Sequence, residues 1–181
     1  TKKINDHFGE GYHYEVTYTG NNLPVLVQSF YVYPTKDYVL TDFTLESTSE
    51  MASNYMAPVN VNRMPEVLNQ GENNRALFIP FDNDCWIRYQ SHPLTFTELT
   101  SYEVTAIFNN DDREAMVIGS VEHDSWKTGI TIGKGNIYNV GSLVCYGGVA
   151  GKTTRDSKPH GALKGTTIKS PKILVGFFED W

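Results

Sequence analysis

Cysteine and long apolar runs are both scarce in this chain, and each scarcity excludes a class of protein. The 181 residues include two cysteines, Cys85 and Cys145. Without a Cys-x-x-Cys pair or a His-x-x-x-His spacing, a structural zinc site is not expected. No apolar run approaches the roughly 20 residues that a membrane-spanning helix needs, so no membrane span is expected either.

The two cysteines lie in strand-like segments with apolar or aromatic neighbours. One interpretation is a pair of buried free thiols, because a free cysteine packs like a small hydrophobic residue. The other is a disulfide formed in an oxidising compartment, whose pairing geometry cannot be read from a sequence.

An excess of positive charge is also missing. The chain has 15 lysines and arginines against 21 aspartates and glutamates, which gives a net charge of -6. A protein with this balance has no broad basic surface for nucleic acid. Thr1 opens on polar sequence, so either the protein is not exported or its signal peptide has been removed. We expect the second, and hence a periplasmic or secreted protein.

Helical periodicity is absent too. No window of about 15 residues repeats its apolar positions at helical spacing, and the best candidate, residues 65–69, is one turn at most. A parallel sheet needs helical crossovers, so the chain is predicted to be one all-β domain over residues 1–181, a large antiparallel sandwich. Alternating polar and apolar residues predict about eleven strands, at 12–18, 25–33, 38–47, 57–61, 76–79, 85–89, 101–108, 115–121, 129–132, 137–147 and 173–178.

Residues 147–169 form the one long segment without a strand pattern. It is interpreted either as a solvated loop or as a lid or docking surface for another domain. The segment holds a local group of positive side chains, namely Lys152, Arg155, Lys158, His160 and Lys164.

The first candidate site is a short polar and aromatic cluster. Asp82, Asn83 and Asp84 lie beside Trp86 and Arg88. Carboxylates, amides and guanidinium groups bind the hydroxyl pairs of a pyranose, and an indole packs against its flat C–H face. In a strand, Trp86 and Arg88 share one face, so this cluster predicts a sugar-binding rim. The structural alternative is a core tryptophan with aspartates that cap turns.

A second cluster repeats the same residue types at another strand end. Glu122, His123 and Asp124 are followed by Trp126 and Lys127. Two such clusters in a β-rich chain make carbohydrate the first ligand class to consider. The structural alternative again makes Trp126 a core aromatic and Asp124 a turn cap.

Oxygen-rich turns at 82–84 and 109–112 raise calcium as a minor alternative. Neither has the twelve-residue spacing or the terminal glutamate of an EF-hand loop. No metal or other cofactor is therefore expected.

Four blocks of the sequence, in this order and spacing, resemble the N-terminal β-supersandwich domain of bacterial alpha-galactosidase-type glycoside hydrolases, family 36 and related clan members. The resemblance covers about 25 to 180, and the tail 175–181 resembles the point where such proteins approach their catalytic (β/α)8 barrel. The blocks are residues 23–33, 53–58, 78–89 and 119–129.

The resemblance implies that the chain is not an enzyme on its own. The nucleophile and the acid/base of the family are aspartates on the barrel, which is expected to follow residue 181. The residues agree: Asp82 with Asp84, and Glu122 with Asp124, are each two positions apart in the chain. The members of each pair therefore point the same way instead of flanking a scissile bond. The sequence also has no Gly-x-Ser-x-Gly nucleophile elbow.

Three functions remain open at this stage. The first is a non-catalytic N-terminal domain that packs against the barrel of the same parent chain and lines its sugar-binding rim or an oligomer contact. The second is a free-standing carbohydrate-binding module. The third is a structural or adhesion sandwich that binds protein. A docking domain is expected to expose an apolar patch and self-associate, whereas a module is expected to be monomeric.

Overall fold

The fold is that of a computed structural model, which describes residues 1–69, 71–81, 88–136, 138–148 and 162–179. Over these residues the predicted all-β class is confirmed, and no helix is long and apolar enough to cross a membrane. In chain order the strands are β1 (Lys2–Asp6), β2 (Gly9–Tyr18), β3 (Val25–Val32), β4 (Tyr38–Ser53), β5 (Met56–Val61), β6 (Asn74–Phe78), β7 (Gln90–Pro93), β8 (Glu98–Tyr102), β9 (Val104–Asn109), β10 (Glu114–Ser120), β11 (Thr128–Lys134), β12 (Val140–Gly147), β13 (Leu163–Lys169) and β14 (Ile173–Glu179).

The strands form two antiparallel sheets. The larger sheet has ten strands in the order β1-β2-β3-β4-β14-β10-β9-β6-β7, with β13 also paired to β4. The smaller sheet has the order β5-β12-β11-β8. Strand β4 is 16 residues long, so its first part pairs with β14 and its second part with β13.

The main core lies between the smaller sheet and one part of the larger sheet. Ile130 and Ile132 of β11 meet Ile107 of β9, Ile118 of β10 and Ile173 of β14, all at most 1% exposed. Each fully buried side chain of this size contributes roughly 1.5–3 kcal/mol. Among the described residues, β1, β2 and β3 supply none of the core cluster's buried members.

The face of the larger sheet that forms the main core continues beyond that core and is exposed there. The register places Tyr14 of β2 in a row with Phe30, Thr41 and the buried Ile173. We call this exposed region the open face. Its most exposed large apolar side chains are Tyr14 (40%), Val16 (42%), Tyr18 (50%), Val39 (37%) and Phe177 (55%).

Several strand predictions were wrong, and the structure has fourteen strands over its described residues instead of about eleven. The predicted strand 101–108 is two strands, β8 and β9, in different sheets. Residues 163–169 of the predicted loop form β13, an edge strand with a bulge between Gly165 and Thr167 that hides the alternation. The remainder of that predicted loop, 149–161, lies outside the described residues.

Three smaller differences also have physical causes. Strand β1 was missed because its sequence is almost wholly polar, and it is held by pairing with β2. Strand β7 is a short edge strand paired with β6; of the predicted strand 85–89, residues 88–89 belong to no strand and 85–87 lie outside the described residues. No helical turn forms at residues 65–69.

Candidate functional site

The break between β8 and β9 falls at Glu103, and it builds the candidate site. Glu103 has φ = 66°, a left-handed conformation that costs a residue with a Cβ roughly 1–2 kcal/mol. The hydroxyl of Ser101 fixes the break: it accepts the Ile79 N–H at 2.9 Å and donates to the Val104 carbonyl at 2.9 Å. Strained backbone of this kind, held by its surroundings, is commonest at functional sites.

The main chain of Glu103 joins both sheets. Its N–H donates to the Thr128 carbonyl at 2.9 Å, and its own carbonyl accepts the Ser120 N–H at 2.9 Å. Because Ser120 ends β10 in the larger sheet and Thr128 begins β11 in the smaller one, Glu103 is a fixed point between the two sheets.

The Glu103 carboxylate collects three donors. One oxygen lies 2.9 Å from Nδ1 of His123, and the other lies 3.4 Å from Nζ of Lys127 and 3.2 Å from the Thr128 backbone nitrogen. The Glu103 side chain is 24% exposed, so these charge-assisted contacts are partly shielded from water. They fix the positions of His123 and Lys127 at the surface.

Lys127 of the second cluster contacts Phe81, the residue that precedes the first cluster in the chain. Nζ of Lys127 lies 4.9 Å from the centroid of the Phe81 ring, a cation–π distance. Phe81 is the last described residue before the first cluster, and its ring meets Tyr102 edge to face at 5.3 Å.

Most of the first cluster lies outside the described residues: Asp82, Asn83, Asp84 and Trp86. Arg88 is described, is exposed and belongs to no strand. A sugar rim at these positions stays a prediction.

The second cluster is divided between surface and core. His123 is 57% exposed, and Glu122 and Asp124 are exposed as well. Glu122 lies 3.5 Å from Nζ of Lys172, and the Ser120 hydroxyl donates to the Glu122 carbonyl at 2.5 Å. The loop therefore presents His123 and Asp124 outward while Glu122 is paired.

Trp126 is the exception, because its ring packs inside the protein instead of forming a surface rim. It is 9% exposed and lies in a small core cluster with Met56 and Ile168. Its Nε1–H donates to the Lys169 carbonyl at 2.7 Å, so its one polar atom is satisfied. This placement corrects the expectation of a sugar-facing ring and favours the structural alternative: Trp126 anchors the loop that carries His123 and Lys127.

A polar network supports the other side of this loop, on the outer face of the larger sheet. Lys172 Nζ lies 3.8 Å from Asp42 and 4.5 Å from the centroid of the Tyr31 ring, while the His13 ring stacks on Tyr31 at 4.5 Å. Burial raises the pKa of Asp42. Burial and the nearby Asp42 raise the pKa of Tyr31 to about 12, so Tyr31 is a neutral hydrogen-bonding group at physiological pH.

The alternatives of calcium and of a disulfide also meet the structure. Asn109 Oδ1 accepts the backbone N–H groups of Asp111 at 2.7 Å and Asp112 at 3.0 Å, which is turn capping. Among the described residues, no group of three or more His, Cys, Asp or Glu side chains is arranged to hold a metal. Cys145 is a free thiol buried in the main core, and burial raises its pKa, while Cys85 lies outside the described residues.

Sequence reasoning missed Glu103, the residue on which the corner depends. The stronger turn residues Gly, Pro, Asn and Asp are absent from 101–104. Ser101 is the one turn-favouring residue there, and serine is a weak signal.

Comparison with known proteins bears on the fold. No family model matches the chain, and no curated protein matches it. Among solved structures, the alpha-galactosidase from Lactobacillus brevis matches 98% of this chain with a TM-score of 0.56 at 10% sequence identity. The match covers 24% of that chain, so this protein spans about a quarter of its length. The similarity shows that the two share a β-sandwich fold.

Proposed function

We propose that this chain is a non-catalytic β-sandwich domain of an alpha-galactosidase-like glycoside hydrolase, and that it packs against the catalytic domain. The observation that carries the proposal is how much of each of the two chains the structural match covers. Nearly all of this chain corresponds to 24% of an alpha-galactosidase, so most of that protein lies outside the similarity.

The open face supplies the docking surface in this proposal. Exposed apolar patches on soluble proteins mark interaction sites, and this one continues the face that forms the main core. An open groove of about 660 Å³ runs along it, lined in part by Val39, Val175 and Phe177. The occupant we assign to the face is the catalytic domain of the same protein.

Glu103 and Glu122, two carboxylates at this corner, are suited to positioning and not to hydrolysis. Glu103 is held by His123, Lys127 and the Thr128 N–H, and Glu122 is paired with Lys172. Hydrolysis needs one carboxyl free to transfer a proton and a second facing it across the glycosidic bond.

The same corner is our candidate for a sugar-binding rim. The contacts that His123 and Lys127 make to Glu103 hold the exposed His123 ring and the Lys127 ammonium at the surface, and the ammonium lies beside Phe81. Both groups hydrogen-bond to hydroxyls. In the proposal they act with Arg88, Glu122, Asp124 and the residues Asp82, Asn83, Asp84 and Trp86.

Two assays on the 181-residue chain test this function. Hydrolysis of p-nitrophenyl α-galactoside is expected to be undetectable, and turnover that co-purifies with the chain would refute the non-catalytic assignment.

A dye that fluoresces on apolar surfaces, anilinonaphthalene sulfonate, is expected to bind the open face. Tyr18→Lys is expected to reduce that fluorescence several-fold. Tyr89→Lys is the matched control, since Tyr89 is a 70% exposed tyrosine outside the open face; equal signals from both variants would count against docking.

A free-standing carbohydrate-binding module is the second candidate. The observation that favours it is a pair of adjacent tyrosines, Tyr55 and Tyr146, with ring centroids 5.1 Å apart on the smaller sheet. A module is expected to remain monomeric and to bind sugar without another domain.

A further inference from the structure

The outer face of the smaller sheet has a distinctive cross-strand row. Gly129 of β11 is paired with Tyr146 of β12 on one side and with Tyr102 of β8 on the other. A glycine is thus flanked by two tyrosines on one sheet surface. In the next row of the same face, Thr131 is paired with Val144 on one side and with Thr100 on the other.

Gly129 allows the Tyr146 ring to lie down across the neighbouring strand. A methyl group added at Gly129 would lie 2.6 Å from Cζ and 2.7 Å from the hydroxyl oxygen of Tyr146, far inside van der Waals contact. The ring therefore occupies the space above the glycine backbone instead of standing upright. Thr131 of the next row is an electrostatic neighbour of that hydroxyl, and the Thr131 hydroxyl lies 2.9 Å from that of Thr100.

Tyr55 extends this surface at the edge of the sheet. Its ring is tilted 33° from that of Tyr146, and Tyr55 is 50% exposed. The Ser53 hydroxyl holds its backbone by donating to the Tyr55 carbonyl at 2.8 Å. Two neighbouring tyrosines, one with its ring held above Gly129 and one fixed at its backbone, form a prearranged aromatic surface.

We propose that Tyr55 and Tyr146 form a stacking platform for one pyranose unit of a glycan, with the hydroxyl row of Thr100 and Thr131 beside it. A pyranose has a flat C–H face that packs on an aromatic ring and an edge of hydroxyls that need polar partners. The platform and the threonines supply these two surfaces side by side.

The small size of the platform distinguishes a sugar from a protein as its occupant. Stable protein interfaces bury about 800 Å² on each partner, whereas two tyrosines offer roughly 150–250 Å² each even when fully buried. The row next to the platform holds Val144 with the hydroxyls of Thr131 and Thr100, and the row after it holds Ser142 and Glu98 on either side of Gly133. A polar border of this kind suits a hydroxylated ligand better than an apolar helix or strand.

The platform also lies near the Glu103 corner. Tyr102, paired with Gly129, is followed directly by Glu103 and contacts Phe81. In this proposal a longer glycan on Tyr146 extends past Tyr102 toward Lys127 and His123. The inference rests on the carbohydrate part of the proposed function and is independent of docking through the open face.

Calorimetric titration of the 181-residue chain tests the platform, with melibiose, raffinose, cellotetraose and maltotetraose as probes. We expect saturable heat with at least one of them. Tyr55→Ala is expected to weaken that binding about tenfold, whereas Tyr55→Phe, which keeps the ring, stays within about twofold of the wild type. Gly129→Ala is expected to weaken binding too, because the added methyl displaces the Tyr146 ring without touching the sugar.

The control is Tyr18→Ala, which removes an equally exposed tyrosine from the open face and is expected to leave the affinity unchanged. If Gly129→Ala fails to fold, Tyr55→Ala decides alone, since Tyr55 is half exposed and lies outside the strands. Absence of saturable heat in the wild type, or an unchanged affinity in folded Tyr55→Ala, would overturn the platform. Either result leaves the docking function standing, because dye binding at the open face measures that separately.

Discussion

One face of the larger sheet is buried at one end of a single row of paired residues and exposed at the other end. At one end of the row, Ile173 is fully buried in the main core, while at the other end Tyr14 is 40% exposed. Both ends of the row lie in regular antiparallel pairs. What differs is the layer above them, because the smaller sheet has four strands and the larger has ten.

This contrast shows that the pattern of an amphipathic strand predicts which of its faces is buried but not which partner buries it. In the covered part the partner is the smaller sheet of the same domain. In the open face the apolar side chains have the same pattern, and the proposed partner is another domain. The two parts should therefore differ sharply in how much each apolar side chain contributes to the stability of the isolated chain.

The largest expected effect is in the covered part. Ile118→Ala removes a fully buried side chain from the main core and is expected to lower the free energy of unfolding by about 2–5 kcal/mol. Val16→Ala, on the open face, is expected to change it by about 0.5 kcal/mol or less. Urea unfolding of the two variants measures both values. Similar losses would mean that the open face is buried in the isolated chain.

At Glu103, glycine is expected to give a more stable variant than alanine, which reverses the usual order of these two substitutions. Glu103→Ala loses the carboxylate contacts but keeps the left-handed backbone, and is expected to cost about 2–3 kcal/mol. Glu103→Gly loses the same contacts and relieves about 1 kcal/mol of backbone strain, so it should be the more stable variant. The same unfolding measurement decides. A glycine variant less stable than the alanine variant would show that φ at this position is not strained.

Trp126→Phe separates anchoring from sugar contact. The variant loses the Nε1–H bond to the Lys169 carbonyl and some core volume, at an expected cost of about 1–2 kcal/mol. Its melting temperature is expected to fall while its affinity for any glycan that the chain binds stays unchanged. Lost glycan affinity in a variant that melts like the wild type would restore Trp126 to the sugar rim.

The smallest effect concerns the edge of the open part, where β1 joins the sheet. Partial burial acts to raise the pKa of Asp6, but hydrogen bonds from the Tyr33 hydroxyl and the backbone N–H of Phe8 outweigh it and hold the pKa below its ordinary value. A lowered folded-state pKa means that this stabilisation is present above the ordinary value of 3.8 and is lost as the pH falls through the folded value.

Melting temperatures measured from about pH 5 down to about pH 2 test this assignment. Tyr33→Phe removes the hydroxyl that lies 2.8 Å from Asp6 and is expected to reduce the acid-dependent loss of stability. Identical slopes for wild type and variant would show that this contact does not set the Asp6 pKa.

The sequence predicted the fold class well because alternation extends over most of the strands. It failed where long-range pairing decides. Strand β13 has only Leu163 and Ile168 as large apolar residues and forms because β4 is long enough to pair with it. The break at Glu103 depends on contacts from two sheets that are distant in sequence, and the Ser101 hydroxyl beside it accepts the N–H of the distant Ile79.

The candidate site was predicted only in part, again because contacts that are distant in sequence decide where some of its residues lie. Residue types indicated that His123 and Lys127 belong to a polar surface group, and they lie together on Glu103. Residue type alone did not separate the buried Trp126 from a surface ring, because an indole suits both places. The Tyr146 platform was not visible either, since it requires the pairing of Tyr146 with Gly129.

Sedimentation velocity of the wild-type chain and of Phe177→Lys, over a range of concentrations, tests the docking role of the open face most directly. Phe177 is 55% exposed there, so the substitution should leave the melting temperature nearly unchanged. The proposed role predicts concentration-dependent self-association of the wild type that the variant abolishes. A wild type that stays monomeric at every concentration and sediments like the variant would contradict it.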